Sequence, residues 1–298
     1  MNIRIALPTD LEIITNIAFL AFENSPLYDH FSPLHAKYPL EFRRFLRDEL
    51  RLRMISPGQV IIVAETYCDA LEFGDEEVEK DSVVKRRAMV VTGYAVWIKR
   101  TAGDMQDEWN GDTLLKSKFG FVGFVVVCDV RYRYVPTARP KHTMSWALDC
   151  ARILNIGLLI QRTNLLQEFH RMLLTCQLCY HTFLGLDKTT DYPTIHNFHK
   201  EAASILASSN ILDHIELNTL AVHPDYQRMG IGADLMDWGM QRAQDERLSV
   251  VLEATEAGVC LYERKGFEVV GTILLERKIV EDKCVEMLKI PVMVLRTK

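Results

Sequence analysis

Residues 220–236, Leu-Ala-Val-His-Pro-Asp-Tyr-Gln-Arg-Met-Gly-Ile-Gly-Ala-Asp-Leu-Met, constrain this chain more than any other stretch. Leu220, Ala221 and Val222 end an apolar run that begins at Ile215, and after Gly230 the apolar residues take helical spacing. A strand that turns through two glycines into a helix aims several backbone N–H groups at one point. The helix dipole adds favourable potential for an anion there. Gly230 and Gly232 have no Cβ to hold a ligand off, and Arg228 adds a positive charge beside them. A pyrophosphate suits such a loop. A Walker loop would end in Gly-Lys-Ser/Thr, and a Rossmann fingerprint would carry a third glycine; neither is present.

The order around this run is regular. A strand over 215–222, a turn over 223–230, a helix over 231–247 and a strand over 248–254 follow one another. A short helix over 259–265 is stopped by Gly266, and strands over 267–276 and 284–295 pair antiparallel. In the N-terminal half, residues 3–7 alternate like a strand and run into a helix, with Thr9 and Glu12 at capping-box spacing. A second helix spans 39–54, and strands span 60–67 and 88–99. Strands interleaved with helices imply an α/β sheet.

Two segments interrupt this order. Residues 69–87, acidic and then basic, read as a long exposed hairpin loop. Residues 101–209, mainly helical over 144–184, read either as a large insertion that covers the substrate side or as partly an artefact of the gene model. No repeat and no Gly/Ser linker divides the chain, so 1–298 is expected to be a single domain with its cofactor-binding core at about 211–276.

The hexapeptide Gln227-Arg228-Met229-Gly230-Ile231-Gly232 matches the Q/R-x-x-G-x-G/A signature of the GNAT acetyltransferases. Leu261-Tyr262-Glu263-Arg264-Lys265-Gly266-Phe267 is similar to the L-Y-x-x-x-G-F element of that family. Val251-Leu252-Glu253-Ala254-Thr255 resembles the branch that contains puromycin N-acetyltransferase and many fungal members. The resemblance is firm over 215–271, looser at the opening strand and helix and at 93–97, and does not cover 101–209. It implies a mixed, strongly twisted sheet with helices on both faces, splayed where acetyl-CoA enters. It also implies a cofactor site made by Leu220, Ala221, Val222, Gln227, Arg228, Met229, Gly230, Ile231, Gly232 and Ala233. Thr255 joins them where many members carry Asn at the pantetheine arm.

The implied reaction is direct attack of an amine on the acetyl thioester, which profits from a base near the amine and an acid near the sulfur. Tyr262 matches the tyrosine that donates to the departing sulfur. A bulge in the strand ending at Val222 would let a backbone N–H polarise the thioester carbonyl. By the two-residue period Glu216, Asn218, Leu220 and Val222 share one face, and Glu216 stands where the histone-acetyltransferase branch has its base. A water chain is the other candidate. The acceptor favoured by the net charge of -5 is a small primary amine. A protein or histone acceptor, and a binding protein that holds acyl-CoA without turnover, are the alternatives.

The remaining features exclude more than they assign. The basic residues of 43–53 alternate with Asp48 and Glu49, so no nucleic-acid surface is expected. No leader pattern and no apolar run of membrane-spanning length stands in the sequence, and seven scattered cysteines fit a reduced, cytoplasmic protein. Cys176 and Cys179 with His181, His196 and His199 lack the second pair of a zinc finger, so no metal is expected. His223 reads as a turn residue, and Trp97, Trp146 and Trp238 as core or pocket wall. The sequence does not specify an oligomeric state.

Overall fold

Seven strands form one sheet in the computed structural model, which describes residues 1–70, 86–101, 188–279 and 284–297. They are β1 (Asn2–Ile5), β2 (Gln59–Ala70), β3 (Arg86–Arg100), β4 (His214–Val222), β5 (Ser249–Glu253), β6 (Glu268–Ile279) and β7 (Cys284–Leu295). Their order is β1-β2-β3-β4-β5-β7-β6, and only β4 and β5 run parallel. The helices are α1 (Leu11–Phe22), α2 (Pro26–Phe31), α3 (Pro39–Met54), α4 (Tyr192–Ser208), α5 (Ile231–Glu246) and α6 (Glu256–Arg264). This is the mixed α/β sheet flanked by helices that the sequence implies.

Strand alternation divides the core into two faces. Val60, Ile62 and Ala64 of β2, Ala95 and Trp97 of β3, and Val250 and Leu252 of β5 pack under α5 with its Ile231, Leu235, Met236 and Ala243. On the opposite face Ile61, Val63, Val96 and Ile98 pack against Ile14, Ile17 and Ala18 of α1 and Phe42, Leu46 and Leu50 of α3. Farther along that face, Phe198, Ala202 and Leu206 of α4 cover Val251, Ile273, Val292 and Val294. Helix α4 lies within the segment read as an insertion, yet it closes part of the core.

Helix α5 sits close to the sheet for a local reason. A Cβ on Gly239 would overlap the six-membered ring of Trp97, which is fully buried. At the far end of the helix, the buried Lys99 places its Nζ 2.6 Å from Oε2 of Glu246. That cation lies beside the negative end of the α5 dipole.

Some local expectations need correction. The entry to α1 is held by Asp10, which accepts from the Leu7 N–H at 2.7 Å and pairs with Arg4 at 2.6 Å; the Thr9–Glu12 capping box does not form. A carboxylate already fixed by a guanidinium is the better acceptor. Helix α2, opened by Pro26, was not expected. Residues 71–85 of the segment read as a loop and 144–184, read as mainly helical, with Trp146, Cys176, Cys179 and His181, lie outside the described residues.

Gly239→Ala is expected to destabilise the protein by about 1–3 kcal/mol, because the helix must lift off Trp97 to admit a methyl group. A urea midpoint equal to that of the wild type would show that the close approach is not enforced.

Candidate active site

Strand β4 is paired with β3 along its length, from His214 opposite Arg100 to Val222 opposite Gly93. Its pairing with β5 covers only four positions and stops at Leu217 opposite Leu252. Beyond that point the edge of β4 that faces away from β3 has no strand partner among the described residues. Backbone N–H groups along 218–222 are therefore available in a gap between β4 and β5.

The phosphate-type loop closes one end of this gap. Gly230 caps α5 with φ of 87°, a left-handed conformation that costs a residue with a side chain, and a Cβ there would meet nothing within 4 Å. Ala233 and Asp234 donate back to the Gly230 carbonyl at 2.9 and 3.1 Å. The N–H groups of Ile231 and Gly232 belong to the first turn and have no acceptor within the helix. Gln227, Arg228, Met229 and Gly230 are exposed, while Ile231 is anchored in the core. Gln227 donates from Nε2 to the Val222 carbonyl at 3.2 Å, which ties the loop to the strand end. His223 accepts the Asp225 N–H at 3.3 Å and so serves the turn, as its position suggested.

Three elements converge on Gly232. A Cβ at that position would stand 3.7 Å from Leu261 of α6, 3.8 Å from Leu220 and 4.0 Å from Val222 of β4. Thr255 is the N-cap of α6, and its carbonyl accepts from Gly258 at 2.8 Å. Tyr262 lies one turn along, with its ring over Gly258, where a Cβ would meet the ring at 2.6 Å, and 6.1 Å from the Phe267 ring. Burial pushes the Tyr262 phenol up to about 12, so the proton stays on the oxygen at neutral pH. The hydroxyl has no hydrogen-bond partner among the described residues.

One sequence expectation about β4 is overturned. The β3–β4 register shifts between Val96/Trp97, whose partners are Thr219 and Leu217, so Asn218 is the extra residue of a bulge. Ile215, Leu217, Leu220 and Val222 face α5, whereas Ala221 packs on the α1 and α3 side. Glu216 lies opposite Ile98 and beside Val251, also on that second side. Glu216, Asn218, Leu220 and Val222 therefore do not share a face, because the bulge inverts the alternation between Glu216 and Leu220.

Glu216 is held by a directed network. Arg100 Nε donates to its Oε2 at 2.9 Å, Asn218 Nδ2 donates to its Oε1 at 3.0 Å, and Thr219 donates to Asn218 at 3.0 Å. Burial opposes the charge, but the Arg100 guanidinium and these donors outweigh it and lower the carboxyl to about 2. Glu253, the last residue of β5, is pushed the other way, to about 8, by burial and by the charge of Glu216. Burial lowers the His214 imidazole below its ordinary value. His199 of α4 lies within electrostatic reach of Glu216. Arg100 and His214 were not singled out in the sequence, and Glu253 was noted only as part of a motif. Sequence separation hides the pair, since Arg100 and Glu216 become diagonal neighbours only in the β3–β4 register. Among the described residues no group of His, Cys, Asp and Glu could hold a metal ion, and no helix is long and apolar enough to cross a membrane.

A family model for the Acetyltransferase (GNAT) domain matches residues 195–269, which run from α4 into β6 and contain the loop, the gap and Tyr262. No curated protein matches the chain at a significant level. Among solved structures, the chain is similar to a protein of Corynebacterium glutamicum whose description is histone acetyltransferase and related acetyltransferase. That likeness has 14% identity and a TM-score of 0.46 and covers 100% of this chain and 96% of that one. A mosquito arylalkylamine N-acetyltransferase-like protein gives 14% identity and a TM-score of 0.45, with 99% and 98% covered. A Drosophila melanogaster polyamine N-acetyltransferase gives 12% and 0.44, with 99% of each chain covered. Likenesses of this size carry no argument about substrate.

Arg100→Met should destabilise the protein at neutral pH by roughly 1–3 kcal/mol. This is less than a fully buried pair would cost, because the Arg100 side chain is 38% exposed. The folded carboxyl of Glu216 lies below its usual 4.5, so the pair's contribution is present above that pH and is lost as pH falls toward about 2. The deficit of Arg100→Met against the wild type should shrink over that window in urea titrations. A deficit that stays constant with pH would show that Arg100 stabilises by packing alone.

Proposed function

Residues 195–269 match the Acetyltransferase (GNAT) domain, and on that premise we propose that the chain moves an acetyl group from acetyl-CoA to a small primary amine. The observation that carries this reading is the convergence at Gly232 of the loop, the free edge of β4 and the helix bearing Tyr262. The residues fit the cofactor. Backbone N–H groups of Ile231 and Gly232, the open space over Gly230 and the Arg228 charge suit a pyrophosphate. Leu220, Ala221 and Val222 would offer backbone along the gap to an extended pantetheine arm, and Met229, Ala233 and Thr255 would join them in holding the cofactor. Acetyl-CoA supplies an activated acyl group and a thiolate leaving group.

The chain's own residues divide the remaining work. A backbone N–H near the bulge of β4 polarises the acyl carbonyl, and the flanking Leu220 and Val222 side chains contribute only apolar walls. Tyr262 holds its proton until negative charge develops on the sulfur, and then donates it. Glu216 stays ionised in its pair with Arg100 and gives the acceptor side a polar, hydrogen-bonded wall. A small cationic amine accords with the net charge of -5.

Release of free thiol from acetyl-CoA in the presence of a panel of amines and a lysine peptide tests the proposal. Consumption only with the peptide would assign a protein acceptor instead, and binding of acetyl-CoA with no turnover on any acceptor would overturn transferase activity. Tyr262→Phe keeps the ring and deletes the donor, so kcat should fall by roughly 10²–10³ with acetyl-CoA affinity unchanged. Equal kcat values would remove Tyr262 from the mechanism. Gly230→Val should weaken acetyl-CoA binding by on the order of 2–4 kcal/mol, through backbone strain and lost N–H contacts. Unchanged affinity by calorimetry in a folded variant would remove the pyrophosphate from this loop.

A further inference from the structure

A bulge is the least constrained point of a strand, because its extra residue leaves the hydrogen-bond ladder. In β4 that residue is Asn218, and pairing with β5 on the other edge has already ended at Leu217. Side chains supply the definition that the ladder lacks there. Asn218 Nδ2 donates to Glu216 Oε1 at 3.0 Å, and Asn218 Oδ1 accepts from the Thr219 hydroxyl at 3.0 Å. Arg100 Nε, reaching across from β3, donates to Glu216 Oε2 at 2.9 Å. The contacts therefore start on the neighbouring strand, enter β4 before the bulge and end after it. They stop at Thr219, where pairing with Val96 resumes.

The residue types in this chain of contacts are specific. Glu216 is 8% exposed and accepts at both oxygens. An amide at 218 gives a proton to that carboxylate and takes one from the hydroxyl, whereas a carboxylate there would set two anions side by side. The Arg100 guanidinium and the Asn218 donor keep the Glu216 carboxyl ionised, so its oxygens remain hydrogen-bond acceptors at neutral pH.

We propose that Arg100, Glu216, Asn218 and Thr219 form a clamp on the bulge of β4. The clamp keeps the N–H groups of the open edge aimed into the gap, at the acyl carbonyl. Glu216 and Asn218 are then positioning residues, and Glu216 serves the transfer without taking a proton. The proposal rests on the acetyl-transfer reading and deepens it. A donor fixed in advance where negative charge develops is worth about 10²–10³ in rate, because nothing has to reorganise as the charge forms. A loosened bulge lets the peptide plane turn away and gives up part of that factor.

An exchange of donor and acceptor tests the clamp. Glu216→Gln turns an amide nitrogen against Asn218 or Arg100, and Asn218→Asp turns a carboxylate against Glu216, so each breaks the chain of contacts. Combined, they rebuild it with one link reversed and the same net charge. The nitrogen introduced at 216 donates to the carboxylate introduced at 218, whose other oxygen accepts from Thr219, and the amide oxygen at 216 accepts from Arg100. In protein without ligand, amide hydrogen exchange over 218–222 should rise about tenfold in each single variant and return in the combined one. Single variants that exchange like the wild type overturn the clamp whether or not any amine is acetylated, so this failure is separable from failure of the transferase reading. In bound acetyl-CoA labelled isotopically at the thioester carbonyl, the infrared stretch should lie below that of the free cofactor. It should move back in the single variants and fall again in the combined one; a stretch that does not move would show a clamp with no part in the transfer. With an amine that the wild type acetylates, kcat should drop about 10–100-fold in each single variant, with KM for acetyl-CoA little changed. The combined variant should recover to within about threefold. Slow exchange restored without kcat would make Glu216 the proton acceptor and refute the proposal.

Discussion

The unequal pairing of β4 organises this molecule. One edge of the strand is hydrogen-bonded to β3 from end to end, while the other has β5 beside it for only four residues. Buried backbone groups need partners, and an edge left open inside a fold is costly unless water or a ligand satisfies it. The open edge at 218–222 therefore creates a demand that an extended, amide-containing guest can meet. The loop at Gly230 and the helix carrying Tyr262 border the same gap.

The bulge at Asn218 sets which chemistry lies on each side of that edge. Without it, Glu216 would point the same way as Leu220 and Val222, into an apolar layer with no cation to receive it. The extra residue moves Leu220 and Val222 toward α5 and leaves Glu216 on the other side, where Arg100 waits at hydrogen-bonding distance. One inserted residue thus separates an apolar wall from a polar wall. The network also keeps the clusters under α1/α3 and α4 from merging into a continuous oily layer. Such a break is tolerated because its hydrogen bonds are made.

Much of this was legible in the sequence where local rules act. Helix α3 and strand β7 span the residues expected of them, and Gly266 has the positive φ that a helix stop requires. The loop at 227–232 could be read because glycine at φ of 87° leaves little choice of residue. The polar side of the gap was not legible, for three reasons. A bulge in this strand was expected from the resemblance but not its position at Asn218, so alternation carried straight across it misplaced Glu216. Arg100 and Glu216 meet across a strand pairing that joins distant parts of the chain. Glu253 looks like an ordinary strand residue until burial and a second carboxylate act on it. The capping of α1 failed for a related reason, since Arg4 recruits Asp10 from outside the helix.

Helix α5 is fastened at its middle and at its end before anything reaches its start. Gly239 seats it on Trp97, and the Lys99–Glu246 pair holds its last turn. The turn at Gly230 is therefore a fixed fitting, and a ligand arriving there would surrender its own freedom but little of the protein's. The same fastening makes the spacing from Gly230 to Gly239 a gauge length. One residue added between them would rotate the loop by about 100° relative to the sheet or swing the glycine off the indole. Changes of residue can be absorbed along this helix far more readily than changes of length.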